Sequence, residues 1–244
     1  MSLRLDKALL LRGLVATRSR ARDLIVRGAV RVDGAVALKP GVQVAEDAPI
    51  ALAESPDYVS RGALKLAAAL EAFRLDPHDR VALDVGASTG GFTEVLLRRG
   101  ARHVFAVDVG HGQLHPGLVR DARVTSLEGR DARTLSAREI PERVGAIVAD
   151  VSFISLEKAL PAALALAAPG CWLVALVKPQ FEAGREAIGK GGIVRDAAVR
   201  DAQAEKIATW IGGLPGWRVT GVIPSPIEGG SGNREFLLGA GLDG

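Results

Sequence analysis

Four charged residues of this 244-residue chain stand beside apolar segments, where an unpaired charge would be costly. They are Lys65, Asp150, Lys178 and Glu235. Lys65 lies near the start of an apolar helical stretch, and the other three stand at the ends of apolar runs typical of strands. On a parallel sheet, Asp150 and Lys178 would project from one edge. Two amines and two carboxylates in one place could position a substrate and move a proton, or they could form two structural ion pairs.

A glycine-rich segment between Asp84 and Phe92 ends one apolar strand and opens a helix, so flexible backbone lies where a bound molecule must come close. Ser88 stands where the dinucleotide fingerprint needs glycine, and no lysine follows to hold a triphosphate. The pattern acid-x-Gly-x-x-x-Gly instead resembles the first motif of Rossmann-like methyltransferases, which bind S-adenosylmethionine. The cofactor-binding residues predicted here are Asp84, Gly86, Ala87, Ser88, Thr89, Gly90, Gly91 and Phe92.

Two later acids are predicted to contact the adenosine part of that cofactor. Asp108 ends the next strand, where a carboxylate could accept both ribose hydroxyls, and Asp131 follows the third strand, within reach of the adenine amino group. Asp150 is predicted to touch the cofactor as well. A solvated acid at a strand end is the alternative for Asp108 and Asp131, and an NAD-linked enzyme would use the same ribose acid.

Apolar runs alternate with helical stretches through most of the chain, which predicts an α/β fold with a doubly wound, Rossmann-like sheet. Hydrophobic residues make up 48% of the chain and aromatic residues only 4%, so aliphatic side chains must build the core. An alanine-rich helix and a Pro-Gly turn explain most of the uncharged run 159–177 better than a membrane span does. The predicted strands are 81–85, 103–107, 146–149, 172–177, 218–223 and 235–238, with a helix at 89–99.

The first forty residues form a basic segment, in which nine Lys and Arg face three Asp for a net charge of +6, within a chain of +3 overall. Helical spacing over 4–14 and 19–27 precedes a hairpin turn at Asp33-Gly34. The runs from Arg4 to Leu9 and from Val30 to Gly34 resemble the small α+β RNA-binding domain named after ribosomal protein S-four. A helical cap with a solvated charged face is the alternative.

The RNA-binding residues predicted on this basis are Arg4, Lys7, Arg18, Arg20, Arg22 and Arg61. Arginines on the second helix could follow a phosphate backbone. The proline-rich stretch 40–56 is predicted to contain the last strand of the small domain and the start of a linker. The predicted organisation is an S-four-like domain at 1–56, a linker at 57–61 and a methyltransferase domain at 62–244.

Across the whole length the chain resembles the TlyA family, some members of which are labelled haemolysins and whose catalytic domain is similar to FtsJ-type ribose methyltransferases. The stretches that carry the resemblance are 58–62, 84–92, 149–156, 176–182, 189–196, 224–226 and 233–236. The resemblance implies S-adenosylmethionine-dependent 2′-O-methylation of ribosomal RNA at cytidine. It also carries the family's Lys-Asp-Lys-Glu tetrad onto Lys65, Asp150, Lys178 and Glu235.

A reaction of this kind needs lysine and acidic side chains for two reasons. A ribose hydroxyl is a poor nucleophile at neutral pH, whereas a sulfonium methyl group needs no acid catalyst, so the enzyme must orient the oxygen and remove its proton. Lys178 is the candidate base, and Asp150 would position its amine. Lys65 and Glu235 would position the ribose.

The chain departs from the family pattern at two positions, where Ala63 replaces a second glycine and Asp131 replaces asparagine. These changes affect the surroundings of Lys65 and the adenine contact. Pro179 and the glycines at 189–192 suggest a loop over the site, in which Lys190 and Arg195 either contact RNA or belong to a merely flexible surface.

Several other classes of protein are disfavoured. Cys171 is the single cysteine, so neither an internal disulfide nor a cysteine-based zinc site is expected, and without a recognisable leader a cytoplasmic location is expected. No metal and no membrane partner are predicted, and oligomeric state is open. The rival functions are a non-catalytic RNA-binding assembly factor of the ribosome and a membrane-active haemolysin.

Removal of residues 1–56 is expected to leave a folded domain that still binds cofactor but has lost affinity for ribosomal RNA, because the basic segment of net charge +6 goes with them. Calorimetric titration with the cofactor and RNA binding at a stated salt concentration check both parts. Undiminished RNA binding by the truncated chain would contradict this expectation.

Overall fold

The computed structural model describes residues 2–15, 17–26, 28–52, 58–184, 186, 189, 191–229 and 232–244. Its internal contacts divide the chain into two compact units, Met1–Arg61 and Gly62–Gly244. The prediction for Lys190 and much of the predicted linker lie outside the described residues. Each unit has a hydrophobic core of its own.

The smaller unit combines two helices with short strands. Helices α1 (Leu5–Leu11) and α2 (Arg18–Val26) bury Leu5, Leu9 and Ile25. Its strands are β1 (Ser2–Arg4), β2 (Val30–Val32), β3 (Ala35–Val36), β4 (Gln43–Ala45) and β5 (Ile50–Leu52). β2 pairs with β3 and β5, and β1 pairs with β4.

The turn between β2 and β3 is the one that the sequence predicts. Asp33 and Gly34 both have positive φ, 50° and 80°, as this class of tight hairpin requires. The prediction of a single last strand within 40–56 is wrong, because two strands form there. β4 pairs with β1 at the start of the chain, and β5 pairs with β2, so each covers a different open edge.

The larger unit is built on a seven-stranded sheet. Its strands are β6 (Val81–Val85), β7 (His103–Asp108), β8 (Val124–Glu128), β9 (Val144–Ala149), β10 (Ala167–Val177), β11 (Trp217–Pro224) and β12 (Phe236–Leu242). Their order is β11-β12-β10-β9-β6-β7-β8. The five neighbouring strands β8, β7, β6, β9 and β10 are all parallel. In contrast, β12 runs antiparallel to both β10 and β11. The predicted α/β fold with a Rossmann-like sheet and a small α+β domain is confirmed.

Helices connect these strands in the larger unit. They are α3 (Gly62–Ala72), α4 (Gly91–Arg98), α5 (Pro116–Val119), α6 (Leu156–Ala159), α7 (Pro161–Leu164), α8 (Pro179–Glu182) and α9 (Ala197–Gly212), with a 3₁₀ turn at Ala132–Thr134. In the described part of the chain, no helix is both long and apolar enough to cross a membrane. The aliphatic core surrounds the central strands, and all five residues of β6 are buried.

Two local predictions for the uncharged run 159–177 are wrong. The alanine-rich helix is broken into α6 and α7, because Pro161 cannot continue the preceding turn and begins a new one. The predicted Pro-Gly turn lies inside β10, where the pairing with β9 shifts register between Ala167 and Trp172. Gly170, at φ 72°, accommodates this bulge.

Candidate active site

Three of the four tetrad residues lie at one edge of the sheet because of strand direction. Asp150 follows β9 and Lys178 follows β10, so both emerge at the carboxyl ends of parallel strands. Glu235 directly precedes β12, which runs the opposite way and pairs Phe236 with Val177. The antiparallel strand therefore begins where β10 ends, and this brings Glu235 to the edge from which Lys178 projects.

Lys178 and Asp150 form an ion pair at this edge. The Lys178 Nζ lies 2.6 Å from Asp150 Oδ1, and the lysine side chain is only 11% exposed. The Lys178 amine also donates a hydrogen bond to Ser152 Oγ at 2.9 Å. Two neighbours thus fix the position of the amine.

Lys65 and Glu235 form the second ion pair. Lys65 Nζ donates to Glu235 Oε2 at 2.6 Å, and both side chains are buried. Asn233, also buried, supports this segment by accepting from the Val194 amide and donating to the Gly192 carbonyl. No role for Asn233 was predicted from the sequence, although this residue stands two residues before Glu235. Removal of one partner of such a buried pair strongly destabilises the folded protein, because the other charge stays buried without compensation.

The glycine-rich loop approaches the tetrad through Gly86. Its φ is 85°, and a Cβ at this position would lie 2.6 Å from the Asp150 backbone oxygen, so only glycine fits. Gly90 has φ 95° and precedes α4, which explains why that helix begins at Gly91 and not at the predicted residue 89. The glycine-rich loop and the carboxyl end of β9 are therefore packed directly against each other.

Asp108 holds the loop from the other side. Its two carboxylate oxygens accept from the backbone amides of Ser88 and Gly110, each at 2.8 Å. Glu128, which the sequence analysis missed, accepts from the amides of residues 112–114, and these bonds lower its pKa. A partly buried glutamate at a strand end gives no signal of such a role in the sequence.

A cleft of about 440 Å³ opens between these elements. Five of the predicted cofactor residues line it: Gly86, Ser88, Asp108, Asp131 and Asp150. The other six predicted residues are not part of its lining: Asp84, Ala87, Thr89, Gly90, Gly91 and Phe92. Within the loop, the structure therefore separates residues that face the cleft from residues that hold the backbone in shape.

Asp84 belongs to the second group. Its side chain is completely buried and accepts a hydrogen bond from Thr93 Oγ1 at 2.7 Å, while its other oxygen has no partner among the described residues. Burial raises the pKa of the Asp84 carboxyl to about 7, against the opposing effect of the Thr93 hydrogen bond. Asp84 thus anchors the start of α4 to β6.

Asp131 lines the cleft but is already engaged by a neighbour. It caps the 3₁₀ turn, and the Arg133 guanidinium donates to it at 2.9 Å. The hydrogen bond from Arg133 lowers the pKa of Asp131, so the group is an ionised acceptor at neutral pH. Arg133 also lines the cleft.

Phe153 is a third residue that the sequence analysis missed. It lines the cleft with 90% of its surface exposed, and its φ of 65° is unusual for a bulky residue. The Phe181 ring lies 5.0 Å away, centroid to centroid, and the Lys178 Nζ lies 5.9 Å from the Phe181 ring. An aromatic surface therefore stands next to the Lys178–Asp150 pair.

The residues predicted to bind RNA lie in the smaller unit, apart from Arg195 and Lys190. Lys7 and Arg20 are exposed, Arg61 is partly buried, and Arg4, Arg18 and Arg22 surround Asp6. Arg195 is exposed before α9, and its carbonyl accepts from Arg200. Among the described residues there is no group of three or more side chains suited to hold a metal ion.

The sheet order, the antiparallel β12, the glycine loop and the cleft at the carboxyl strand ends define the Rossmann-like methyltransferase class. Family comparison matches residues 58–242 to the FtsJ-like methyltransferase and residues 3–50 to the S4 domain, the S-four-like domain of the sequence analysis. The chain therefore belongs to the FtsJ-like methyltransferase family, with an S4 domain before the catalytic unit.

Relatives of known name support this assignment. The chain is 47% identical over 237 residues to the 16S/23S rRNA (cytidine-2'-O)-methyltransferase TlyA of Mycobacterium tuberculosis, covering 96% of this chain and 88% of that protein. It is 37% identical to Hemolysin A of Brachyspira hyodysenteriae, covering 96% and 98%. A solved structure from Streptococcus thermophilus that carries the hemolysin name superposes with a TM-score of 0.74 at 40% identity, over 99% of this chain and 89% of that one.

Replacing Asp84 with asparagine is expected to change the pH dependence of stability. Because burial raises the pKa of Asp84 to about 7 in the folded protein, whereas an unfolded aspartate titrates near about 4, folded Asp84 resists ionisation. The contribution of Asp84 to the free energy of unfolding is therefore full below about pH 4 and is lost progressively as the pH rises to about 7. Over this range the unfolding constant increases by up to about tenfold per pH unit. The asparagine variant should lack this loss.

Urea denaturation of both proteins across this pH range checks the expectation. The difference in free energy of unfolding, parent minus variant, should fall as the pH rises and then level off. Asp201→Asn, at an exposed acid of α9, is the control. A difference that stays constant from about pH 4 to about pH 7 would contradict the assigned environment of Asp84.

Proposed function

We propose that this protein transfers a methyl group from S-adenosylmethionine to a ribose 2′-hydroxyl of ribosomal RNA, at cytidine. The observation that supports it most is the Lys178–Asp150 ion pair, 2.6 Å from Nζ to Oδ1, in which the carboxylate belongs to a residue that lines the cleft. Ser152 also lines the cleft and accepts a hydrogen bond from the Lys178 amine. Under this proposal, the amine that accepts the proton lies directly behind the cleft that receives the methyl donor.

The cleft fits S-adenosylmethionine in its chemistry. Three carboxylates, those of Asp108, Asp131 and Asp150, line it together with Gly86, so acceptors are available for a positively charged ligand that carries ribose hydroxyls. Asp108 and Asp131 would hold the ribose and the adenine, and Asp150 would face the positively charged part of the molecule. When bound, the cofactor supplies an electrophilic methyl group that needs no acid catalysis.

The chain's own residues have the remaining work of orienting the ribose and removing its proton. The Lys178 ammonium of the ion pair would first lose a proton to solvent, and the neutral amine would then take up the proton of the 2′-hydroxyl while Asp150 and Ser152 keep it directed at that oxygen. The Lys65–Glu235 pair would receive the ribose on the β12 side, because Glu235 lies where β12 begins beside β10. Orientation and proton removal together are the two demands of this reaction.

Several observations favour ribosomal RNA as the substrate. The relative from M. tuberculosis carries 16S/23S rRNA in its name, and a relative from Campylobacter jejuni carries 23S rRNA. The S4 match covers residues 3–50, which include most of the segment of net charge +6. Polyanion binding by such a unit would position the RNA, whereas the cleft would select the nucleotide.

Lys178→Ala is expected to lower methyl transfer at least about a hundredfold while RNA binding persists, because the variant loses the proton acceptor and keeps the basic unit. The measurement is transfer of a labelled methyl group to ribosomal RNA, with RNA affinity measured in parallel. Lys158→Ala is the matched control, since Lys158 is exposed on α6.

Equal activity in Lys178→Ala and the parent would refute the assigned base. A parent that binds ribosomal RNA with cofactor present but transfers no methyl group would favour a non-catalytic assembly factor. Leakage of liposomes caused by the pure protein would instead favour the membrane-active alternative that the hemolysin name suggests.

Phe153→Ala is expected to lower kcat/KM for RNA by about five- to a hundredfold, because an exposed ring beside the site can stack on the target base. Phe153→Tyr keeps the ring and should keep most of the activity. Kinetics with saturating cofactor separate the RNA contribution from cofactor binding. Wild-type kcat/KM in Phe153→Ala would show that the Phe153 ring does not stack on the target base.

A further inference from the structure

Asp6 is a buried carboxylate at the first turn of α1, in the smaller unit. Its side chain has no exposed surface, although a lone buried charge would be costly. The mechanism proposed for the larger unit makes no use of it.

Three arginines converge on this one carboxylate. Arg4 donates from Nε and Nη2 to its two oxygens, both at 3.1 Å. Arg18 donates from Nε at 3.0 Å, and the Arg22 Nε lies 3.9 Å away. The three arginine side chains are 44%, 53% and 63% exposed, so the carboxylate is hidden while the guanidinium groups face solvent. Arg4, Arg18 and Arg22 are called the arginine cluster below.

The charges in this arrangement do not cancel. The hydrogen bond from Arg4 outweighs burial and lowers the pKa of Asp6 to about 2, so the carboxylate is ionised at neutral pH. One negative charge against three positive charges leaves an excess of +2 at the surface. The pairing is thus sufficient to stabilise Asp6 and leaves the cluster able to bind an anion.

The contacts of the cluster leave donors for such an anion. Arg18 and Arg22 face Asp6 through Nε, and in the described part of the chain their Nη groups have no hydrogen-bond partner. Other arginines of the basic segment are engaged differently. Arg12 donates its Nη groups to the carbonyls of Ala45, Glu46 and Ala48, and Arg31 donates to Gly34.

We infer that Asp6 is a positioning residue that holds Arg4, Arg18 and Arg22 as one preformed site for adjacent phosphodiester groups of an RNA backbone. The inference deepens the proposed function and rests on it for the identity of the ligand. Arginine recognises phosphate through paired Nη donors, and a guanidinium already fixed by Asp6 loses less side-chain freedom on binding.

The decisive experiment replaces Asp6 with asparagine in the full chain. If Asp6 only reduces the positive charge of the surface, its neutralisation should leave RNA binding as tight as in the parent or tighter. If Asp6 positions the cluster, binding should weaken about tenfold in spite of the added charge. The slope of log affinity against log salt should also become smaller by about one, because fewer phosphates are engaged.

The probe is purified 23S ribosomal RNA at several salt concentrations, with methyl-transfer kinetics alongside. Asp6→Asn should raise KM for RNA and leave kcat unchanged, a split that general loss of structure would not produce. Asp33→Asn is the matched control, because it removes the same charge from an exposed turn of the same unit. It should bind RNA at least as tightly as the parent.

A second variant keeps the inference testable if Asp6→Asn does not fold. Arg18→Lys preserves charge at a half-exposed position but lacks the Nε and paired Nη donors. If Asp6 positions Arg18, then Arg18→Lys should lose nearly as much RNA affinity as Arg18→Gln. If only the charge of Arg18 matters, Arg18→Lys should lose little affinity. Wild-type affinity in Arg18→Lys would overturn the inference.

The results also separate this inference from the proposed function. A parent that binds RNA without methylating it refutes the proposed activity, and the Asp6→Asn comparison still decides the role of Asp6. A parent that methylates RNA while Asp6→Asn binds as tightly as the parent refutes the positioning role alone. A parent that does not bind ribosomal RNA overturns both.

Discussion

The direction of one strand determines whether this site can exist. If β12 ran parallel to β10, its first residue would lie at the far edge of the sheet, and Glu235 could not approach the terminus of β10. The antiparallel pairing of Phe236 with Val177 instead places Glu235, the residue before Phe236, next to Lys178, the residue after Val177. The Lys65–Glu235 ion pair, 2.6 Å long and buried, and the Lys178–Asp150 pair can then occupy neighbouring strand ends. The buried aliphatic strands behind them keep both pairs in place.

This arrangement gives the two sides of the edge different tasks. On the side of β6 and β9, Gly86 and Asp150 form a wall of the cleft, and only glycine fits against the Asp150 carbonyl. On the side of β12, Glu235 and Asn233 belong to the segment between β11 and β12, and they connect it to Lys65, Val194 and Gly192. Under the proposed function, the methyl donor binds on the first side and the ribose on the second. The charged side chains between them are already held by their partners, so under the proposed function they would need little reorganisation at the moment of reaction.

Much of this could be predicted from the sequence, because the strands of the larger unit are short apolar runs and the charged residues at their ends are conspicuous. The glycine loop was recognised, but its pattern cannot tell Gly86, which faces the cleft, from Asp84, which is buried behind it. That difference depends on backbone torsions and on the approach of β9. Glu128, Phe153 and Asn233 escaped notice for a related reason, since their roles come from contacts distant in sequence. Asp6 looks like an ordinary first-turn acid until α2 brings Arg18 and Arg22 to it.

Under the proposed function, the Lys178 amine and the reacting ribose oxygen meet at the edge formed by β9, β10 and β12. The decisive measurement is a structure of the protein with S-adenosylhomocysteine and a bound fragment of ribosomal RNA. We expect a ribose 2′-oxygen within about 3 Å of the Lys178 Nζ, with Asp150 still in contact with that amine. A ribose bound elsewhere in the cleft, with the Lys178 amine turned away from it, would exclude Lys178 as the base.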